Sequence, residues 1–278
     1  MPWTMPWREG AARTDCRHIL ALSGGKDSSA LAVYLRDKIP HLEYVFCDTE
    51  KELQETYDYL AKLEEYLGIQ ITRIKAAQGF DFYLQMFSGV LPNPTTRWCT
   101  RLLKLKPYER FIGDDPVISY VGIRADEPER QGYISGKPGV TTVFPFAEDG
   151  LVKSDIIRIL EDCGLGLPSY YQWRSRSGCF FCFFQQHREW VGLLEKHPEL
   201  FEQAQAYEKI DPHTGERFTW IAGESLAELC RPERVARIKQ EYEARCLREA
   251  KKFASNQRLC DLWDNEDDQE LACLICSI

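Results

Sequence analysis

Hydrophobic and polar positions along this chain lay out alternating strands and helices. His18-Ile19-Leu20-Ala21-Leu22 is a short apolar run, which predicts a buried strand. Ser23-Gly24-Gly25 ends it, and Ala30, Leu31, Tyr34 and Leu35 then recur at helical spacing, predicting a helix to about position 38. A second strand is expected over 42–47, ending at Asp48-Thr49, then a long helix over 52–67 and a third strand over 69–74. This βαβαβ order predicts an α/β fold, a parallel sheet with helices on both faces. Ligands collect at the carboxyl ends of such strands.

Elsewhere the pattern is less regular. Residues 1–17 hold Pro, Trp and Arg without period and predict an irregular arm, and 79–94, with Gly, Pro, Asn and aromatics, predicts a mobile loop. Residues 117–123 read as a strand and 143–146 as a short one. A helix opens at Lys153-Ser154-Asp155 and runs through 160, before Gly164-Leu165-Gly166-Leu167-Pro168 breaks it. Helical patterns follow over 189–208, 224–230 and 233–254, with an Asp211-Pro212-His213-Thr214-Gly215 loop between the first two. The tail is acidic over 261–270 and ends in Cys273-Leu274-Ile275-Cys276, a frayed end where a buried amphipathic anchor is expected first and a labile thiol pair second.

Composition narrows the picture only in places. Over 278 residues, 44% apolar content suits a packed core, and a net charge of −8 argues against gripping nucleic acid over the whole surface. A local basic patch remains: 231–258 includes Arg231, Arg234, Arg237, Lys239, Arg245 and Arg248, interrupted by Glu233 and Glu241. It reads equally as a solvated helix with i,i+4 pairs. No stretch is long and apolar enough to span a bilayer, and the first residues are not a signal peptide. Eleven cysteines in such a chain point to thiols or metal ligands rather than a disulfide frame, so a cytoplasmic location with no membrane contact is expected.

The candidate chemistry starts where the first strand ends. In Ser23-Gly24-Gly25-Lys26-Asp27-Ser28 the glycines let backbone N–H groups approach an anion, and the helix start adds the positive end of its dipole. Lys26 supplies a mobile charge, Ser23 and Ser28 supply hydroxyls, and Asp27 could hold a divalent cation against phosphates. The spacing is not that of a Walker A loop.

This segment resembles the PP-loop of the ATP pyrophosphatases, enzymes that cleave ATP between its α and β phosphates. Three further segments resemble the PAPS (phosphoadenosine phosphosulfate) reductase-like branch of that group: Asp48-Thr49 with Glu55-Thr56, Arg97-Trp98-Cys99-Thr100 with Lys104, and Gly122-x-Arg124-x-x-Glu127-x-x-Arg130. The resemblance covers roughly 15–190 and implies an adenine-nucleotide alpha-hydrolase-like, PP-loop fold over that stretch, with 191–278 as a helical C-terminal extension. It also implies ATP and Mg²⁺ as cofactors. Lys26, Asp27 and Arg124 would then be catalytic, and Ser23, Gly24, Gly25, Ser28, Asp48 and Arg130 would join them around the nucleotide. Asp48 reads equally well as a helix N-cap, and Arg124 and Arg130 also read as surface arginines paired with Glu127 and Glu129.

A Cys-x-x-Cys turn points two sulfurs the same way, and Cys179 and Cys182 have that spacing. With Cys99 and Cys163 they resemble the cysteine set of the ATP-pyrophosphatase component of DNA phosphorothioation systems, which implies a [4Fe–4S] cluster. Zinc on the same thiolates, a redox dithiol, and small buried residues among Phe180, Phe181, Phe183 and Phe184 stay open. The function implied is adenylation of an acceptor, the DNA backbone, with sulfur from a cysteine desulfurase, other modification-complex subunits, and DNA reached through those partners. The alternatives are a sulfonucleotide reductase, whose Glu-Cys-Gly-x-His motif finds only an echo in Glu161-Asp162-Cys163-Gly164-Leu165, a tRNA-thiolating PP-loop enzyme, and a nucleotide-sensing subunit.

Overall fold

The computed structural model describes residues 5–130, 137–210 and 215–255. A five-stranded, all-parallel sheet forms its centre. In chain order the strands are β1 (Arg17–Leu22), β2 (Leu42–Asp48), β3 (Thr72–Lys75), β4 (Val117–Tyr120) and β5 (Val140–Val143), and their spatial order is β3-β2-β1-β4-β5. Strand order therefore reverses beside β1: the chain adds β2 and β3 on one side of it and then β4 and β5 on the other. The crevice at the carboxyl ends of β1 and β4 is the place where open α/β sheets bind ligands.

Both faces are covered. Along β1, Leu20 and Leu22 point into one apolar cluster while Ile19 and Ala21 point into another, as period-2 alternation requires. The first face is covered by α2 (Lys26–Leu35), α3 (Gln54–Leu67) and α7 (Lys153–Asp162), through Leu31, Leu35, Leu60, Leu63, Ile156 and Leu160. The second face carries α5 (Lys106–Ile112) through Tyr108 and Ile112, preceded by a π-helical turn over Thr100–Leu105.

Several elements depart from the pattern-based expectation. Residues 1–17 are not all irregular: α1 (Trp7–Ala11) docks because Trp7 is buried and its backbone N–H donates to Glu148 Oε2 at 2.7 Å. Part of the expected loop over 79–94 is α4 (Phe80–Met86), held by Phe80 and Leu84, one helical turn apart and both buried. The strand expected at 143–146 ends at Val143, and Pro145 instead opens the short helix α6 (Pro145–Glu148). The helix expected over 189–208 is two, α8 (His187–Lys196) and α9 (Pro198–Ala206), parted at His197 because a residue before proline is forced from the helical region. After them come the two-residue strands Lys209–Ile210 and Arg217–Phe218, then α10 (Leu226–Leu229) and α11 (Pro232–Ser255). Residues 211–214, the acidic tail and the Cys273/Cys276 pair lie outside the described residues.

A third apolar cluster, largely aromatic, joins α4 to the C-terminal helices. In it Phe80 meets Trp98, Phe181 and Tyr207, with ring centroids 5.1, 4.3 and 5.2 Å away. It also takes in Trp190, Phe201 and Trp220, so the Cys179–Cys182 turn is packed between the sheet and the helices that follow.

Candidate active site

The loop after β1 and the start of α2 form the expected cradle. Gly24 has φ +71, and a Cβ there would lie 2.5 Å from Thr56 Cγ2 of α3, so both backbone and space require glycine. Ser28 ties the loop together: its Oγ accepts from Ser23 N–H at 3.1 Å and donates to Gly25 O at 3.3 Å. Ser23 Oγ accepts from Gly25 N–H at 3.4 Å. A phosphate entering this loop would compete with these hydroxyl oxygens for the same N–H donors.

Three braces reach the cradle from far along the chain. Tyr170 OH donates to Gly24 O at 2.8 Å, Tyr171 OH accepts from Lys26 N–H at 3.2 Å, and Ser177 Oγ donates to Ser23 Oγ at 3.2 Å. The Lys26 ammonium also lies 5.3 Å from the Tyr171 ring centroid. No spacing rule linked Tyr170, Tyr171 or Ser177 to the loop, because the connection spans more than 140 residues and exists only in the fold.

Opposite the loop, the end of β4 supplies the countercharge. Arg124 is buried and donates to Asp27 Oδ1 from its terminal nitrogen and to Asp126 Oδ1 from Nε, both at 2.9 Å. Lys26 Nζ lies 3.3 Å from Asp27 Oδ2. Gly122 allows this approach: a Cβ there would lie 3.0 Å from the carbonyl oxygen of Asp27. Burial opposes ionisation of Asp27, but Lys26, Arg124 and Arg130 outweigh it and hold its carboxyl well below the ordinary carboxylate range. Burial likewise opposes the Arg124 charge, and Asp27, Glu127 and Asp126 outweigh it, raising that guanidinium's pKa. Arg130 pairs with Glu127 at 2.9 Å, as the ion-pair reading of that residue expected, but Arg124 is a core residue rather than a surface one.

Asp48 ends β2. It does not cap α3, whose N-cap is Leu53; its Oδ1 accepts from Glu50 N–H at 2.8 Å and Tyr57 OH at 2.7 Å. Asp48 therefore orders the loop over 49–53 beside the cradle.

The cysteines divide. Cys179 and Cys99 pack into the aromatic cluster, and Cys182 lies three residues beyond Cys179 in the same turn. That turn is fastened to the loop after β2 by Phe180 N–H donating to Lys51 O at 2.8 Å. Cys179 Sγ lies 3.2 Å from Thr49 Oγ1 and 3.7 Å from Glu52 Oε1. Cys163 is elsewhere. It follows α7, donates from Sγ to Leu160 O at 3.3 Å, and packs into the first cluster, because Ile156 and Leu160 anchor that helix against α2. Among the described residues no group of three or more His, Cys, Asp or Glu side chains is placed to hold a metal ion. The expected set of Cys99, Cys163, Cys179 and Cys182 is thus not brought together, and the thiols as arranged do not fit a four-thiolate cluster or zinc site.

Comparison with known proteins bears on the stretch that builds the cradle. Residues 17–135 match the phosphoadenosine phosphosulfate reductase domain. The match runs from β1 past Arg124 and takes in less than half of the chain. An uncharacterized protein of Methanocaldococcus jannaschii is 28% identical over 66% of this chain and 40% of its own length. An adenosine 5'-phosphosulfate reductase of Salinibacter ruber is 29% identical over 41% of this chain and 46% of its own. The chain thus spans less than half the length of either relative. Among solved structures, a phosphoadenylyl-sulfate reductase of Candida auris in complex with phosphate is similar at TM-score 0.49 and 13% identity, covering 63% of this chain and 88% of that one. A tRNA thiolase of Methanococcus maripaludis, solved with its [4Fe–4S] cluster, is similar at TM-score 0.39 and 16% identity, covering 71% and 72%. No described helix is long and apolar enough to cross a membrane.

Proposed function

We propose that this chain cleaves ATP between the α and β phosphates and passes the adenylyl group to an acceptor oxygen. The observation that carries this reading is the Lys26–Asp27–Arg124 ion cluster at the reversal point of the sheet, directly beneath a loop of backbone N–H donors. In the step envisaged, the acceptor oxygen bonds to the α phosphorus, the bond to the bridging oxygen breaks, and pyrophosphate leaves with the electron pair. Lys26 and the loop N–H groups hold the phosphates. Arg124, kept charged by its three carboxylates, faces the charge that grows on pyrophosphate. Asp27 is a hard-oxygen carboxylate already ionised at neutral pH, which fits Mg²⁺. That ion, when bound, would add positive charge at the phosphates. No protein nucleophile is needed, since bound geometry aligns the reacting atoms.

The acceptor we favour is the DNA backbone, adenylated for replacement of oxygen by sulfur that a cysteine desulfurase delivers within a larger modification complex in the cytoplasm. The support is the resemblance in sequence of Cys99, Cys163, Cys179 and Cys182 to the cysteine set of the phosphorothioation component; the Arg97–Lys104 and Gly122–Arg130 segments support the wider PAPS reductase-like branch. No step is assigned to an iron–sulfur cluster. A sulfonucleotide reductase is the second reading, favoured by the match over 17–135 and by the Salinibacter relative.

Product analysis separates them. Incubation with ATP is expected to give AMP and pyrophosphate, and Lys26→Ala to lower that release at least about 100-fold, the usual cost of removing one stabiliser of transition-state charge. Sulfite from a sulfonucleotide, without pyrophosphate from ATP, would establish the reductase instead.

A further inference from the structure

Between the Cys179–Cys182 turn, α8 and α11 lies a groove of about 480 Å³, lined by Phe183, Phe184, Arg188, Tyr242, Arg245 and Arg248 among others. Its chemistry is unlike that of the chain as a whole. The protein carries a net charge of −8, yet this groove gathers guanidinium groups against one lining carboxylate, Glu241, which is engaged with Arg237 at 3.4 Å. A further lining arginine, Arg234, is held by Glu224 at 2.6 Å, so it is part of the wall.

The arginines are interleaved with rings. Tyr242 has the Arg188 and Arg245 guanidiniums 4.7 and 5.5 Å from its centroid. Phe184 has those of Arg97 and Arg176 at 5.5 and 5.7 Å, and Phe183 sits 4.4 Å from Phe184. Half-buried rings alternating with guanidiniums offer stacking faces and phosphate ligands together. An acidic peptide would use the charges and leave the rings idle; a strand with unpaired bases would use both. The volume is that of a ligand-sized cleft, which admits a short run of one strand and not a duplex. One short segment touches both places: Arg176 lies against the Phe184 ring that lines the groove, and the next residue, Ser177, bonds Ser23 of the cradle.

We propose that this groove binds a single-stranded segment of nucleic acid, with phosphates on Arg188, Arg245 and Arg248 and bases stacked on Tyr242 and Phe184. The inference rests on the reading that the acceptor is a nucleic acid backbone, and it names where that backbone would lie.

Binding is measured by fluorescence anisotropy of the full chain with a labelled 12-mer of thymidine, the matching 12-base-pair duplex and a poly-glutamate of similar charge. Preference for the single strand is expected, with affinity falling as salt rises. Tyr242→Ala should weaken binding about 5- to 150-fold, and Arg245→Gln should also flatten the salt dependence. Both variants are judged only at unchanged melting temperature, and both should keep pyrophosphate release from ATP alone. Strand binding that neither variant alters, or no strand binding at all, would overturn the proposal. Tighter capture of poly-glutamate would overturn it in favour of an acidic protein partner. Pyrophosphate release is read separately, so loss of that activity without loss of strand binding would remove the ATP reading and leave the groove standing.

Discussion

Gly24 shows how narrowly single positions are constrained around the cradle. Alanine there must adopt a positive φ and push a methyl against Thr56 Cγ2, a side chain with no exposure in which to yield. Gly24→Ala is expected to cost about 2–3 kcal/mol in urea unfolding. Thr56→Ser, which deletes the opposing methyl, should restore part of that loss in the double variant, leaving the backbone cost behind. Asp27 sets a pH dependence of definite sign. Its folded pKa is depressed, so its ion pairs contribute fully above the unfolded value of about 3.9 and are lost as pH falls through the folded value. Thermal melts of the wild type and Asp27→Asn should therefore differ by a constant amount near neutrality, and the difference should begin to shrink only as pH falls below about 4. The identities of Lys26, Asp27 and Arg124 were legible in the sequence because contiguous motifs encode them. Their mutual contact was not, since it depends on β4 lying next to β1.

At the scale of elements, strands β1 and β2 and helices α2, α3 and α7 followed from apolar periodicity, because each buries one regular stripe or run against the sheet. Helix α4 did not. Seven residues flanked by Gly79 and the prolines at 92 and 94 read as loop, and only tertiary contacts to Trp98, Phe181 and Tyr207 make it a packed helix. Phe80→Ala should thus remove the centre of the aromatic cluster and cost about 3–5 kcal/mol, with loss of the near-ultraviolet dichroism of Trp98 and Trp220. Edge strand β3 shows the opposite limit. It starts at Thr72 rather than 69 and shows mostly exposed side chains, so no buried stripe marks its bounds. The misplacement of Cys163 has a similar origin: chain spacing cannot report that α7 and the Cys179–Cys182 turn join different cores.

For the molecule as a whole, strand order decides where chemistry can happen. Placing β1 between β2 and β4 puts the glycine loop, Asp48 and Arg124 at one rim, and the alternating parity of β1 divides the sheet's cover between two apolar clusters. The braces from Tyr170, Tyr171 and Ser177 complete the rim from the far side of the sequence. During synthesis the glycine turn emerges early, whereas the hydroxyls that secure it arrive about 150 residues later. A nascent chain therefore has all five strands of its sheet, the last ending at Val143, before the hydroxyls that brace the glycine loop have been made.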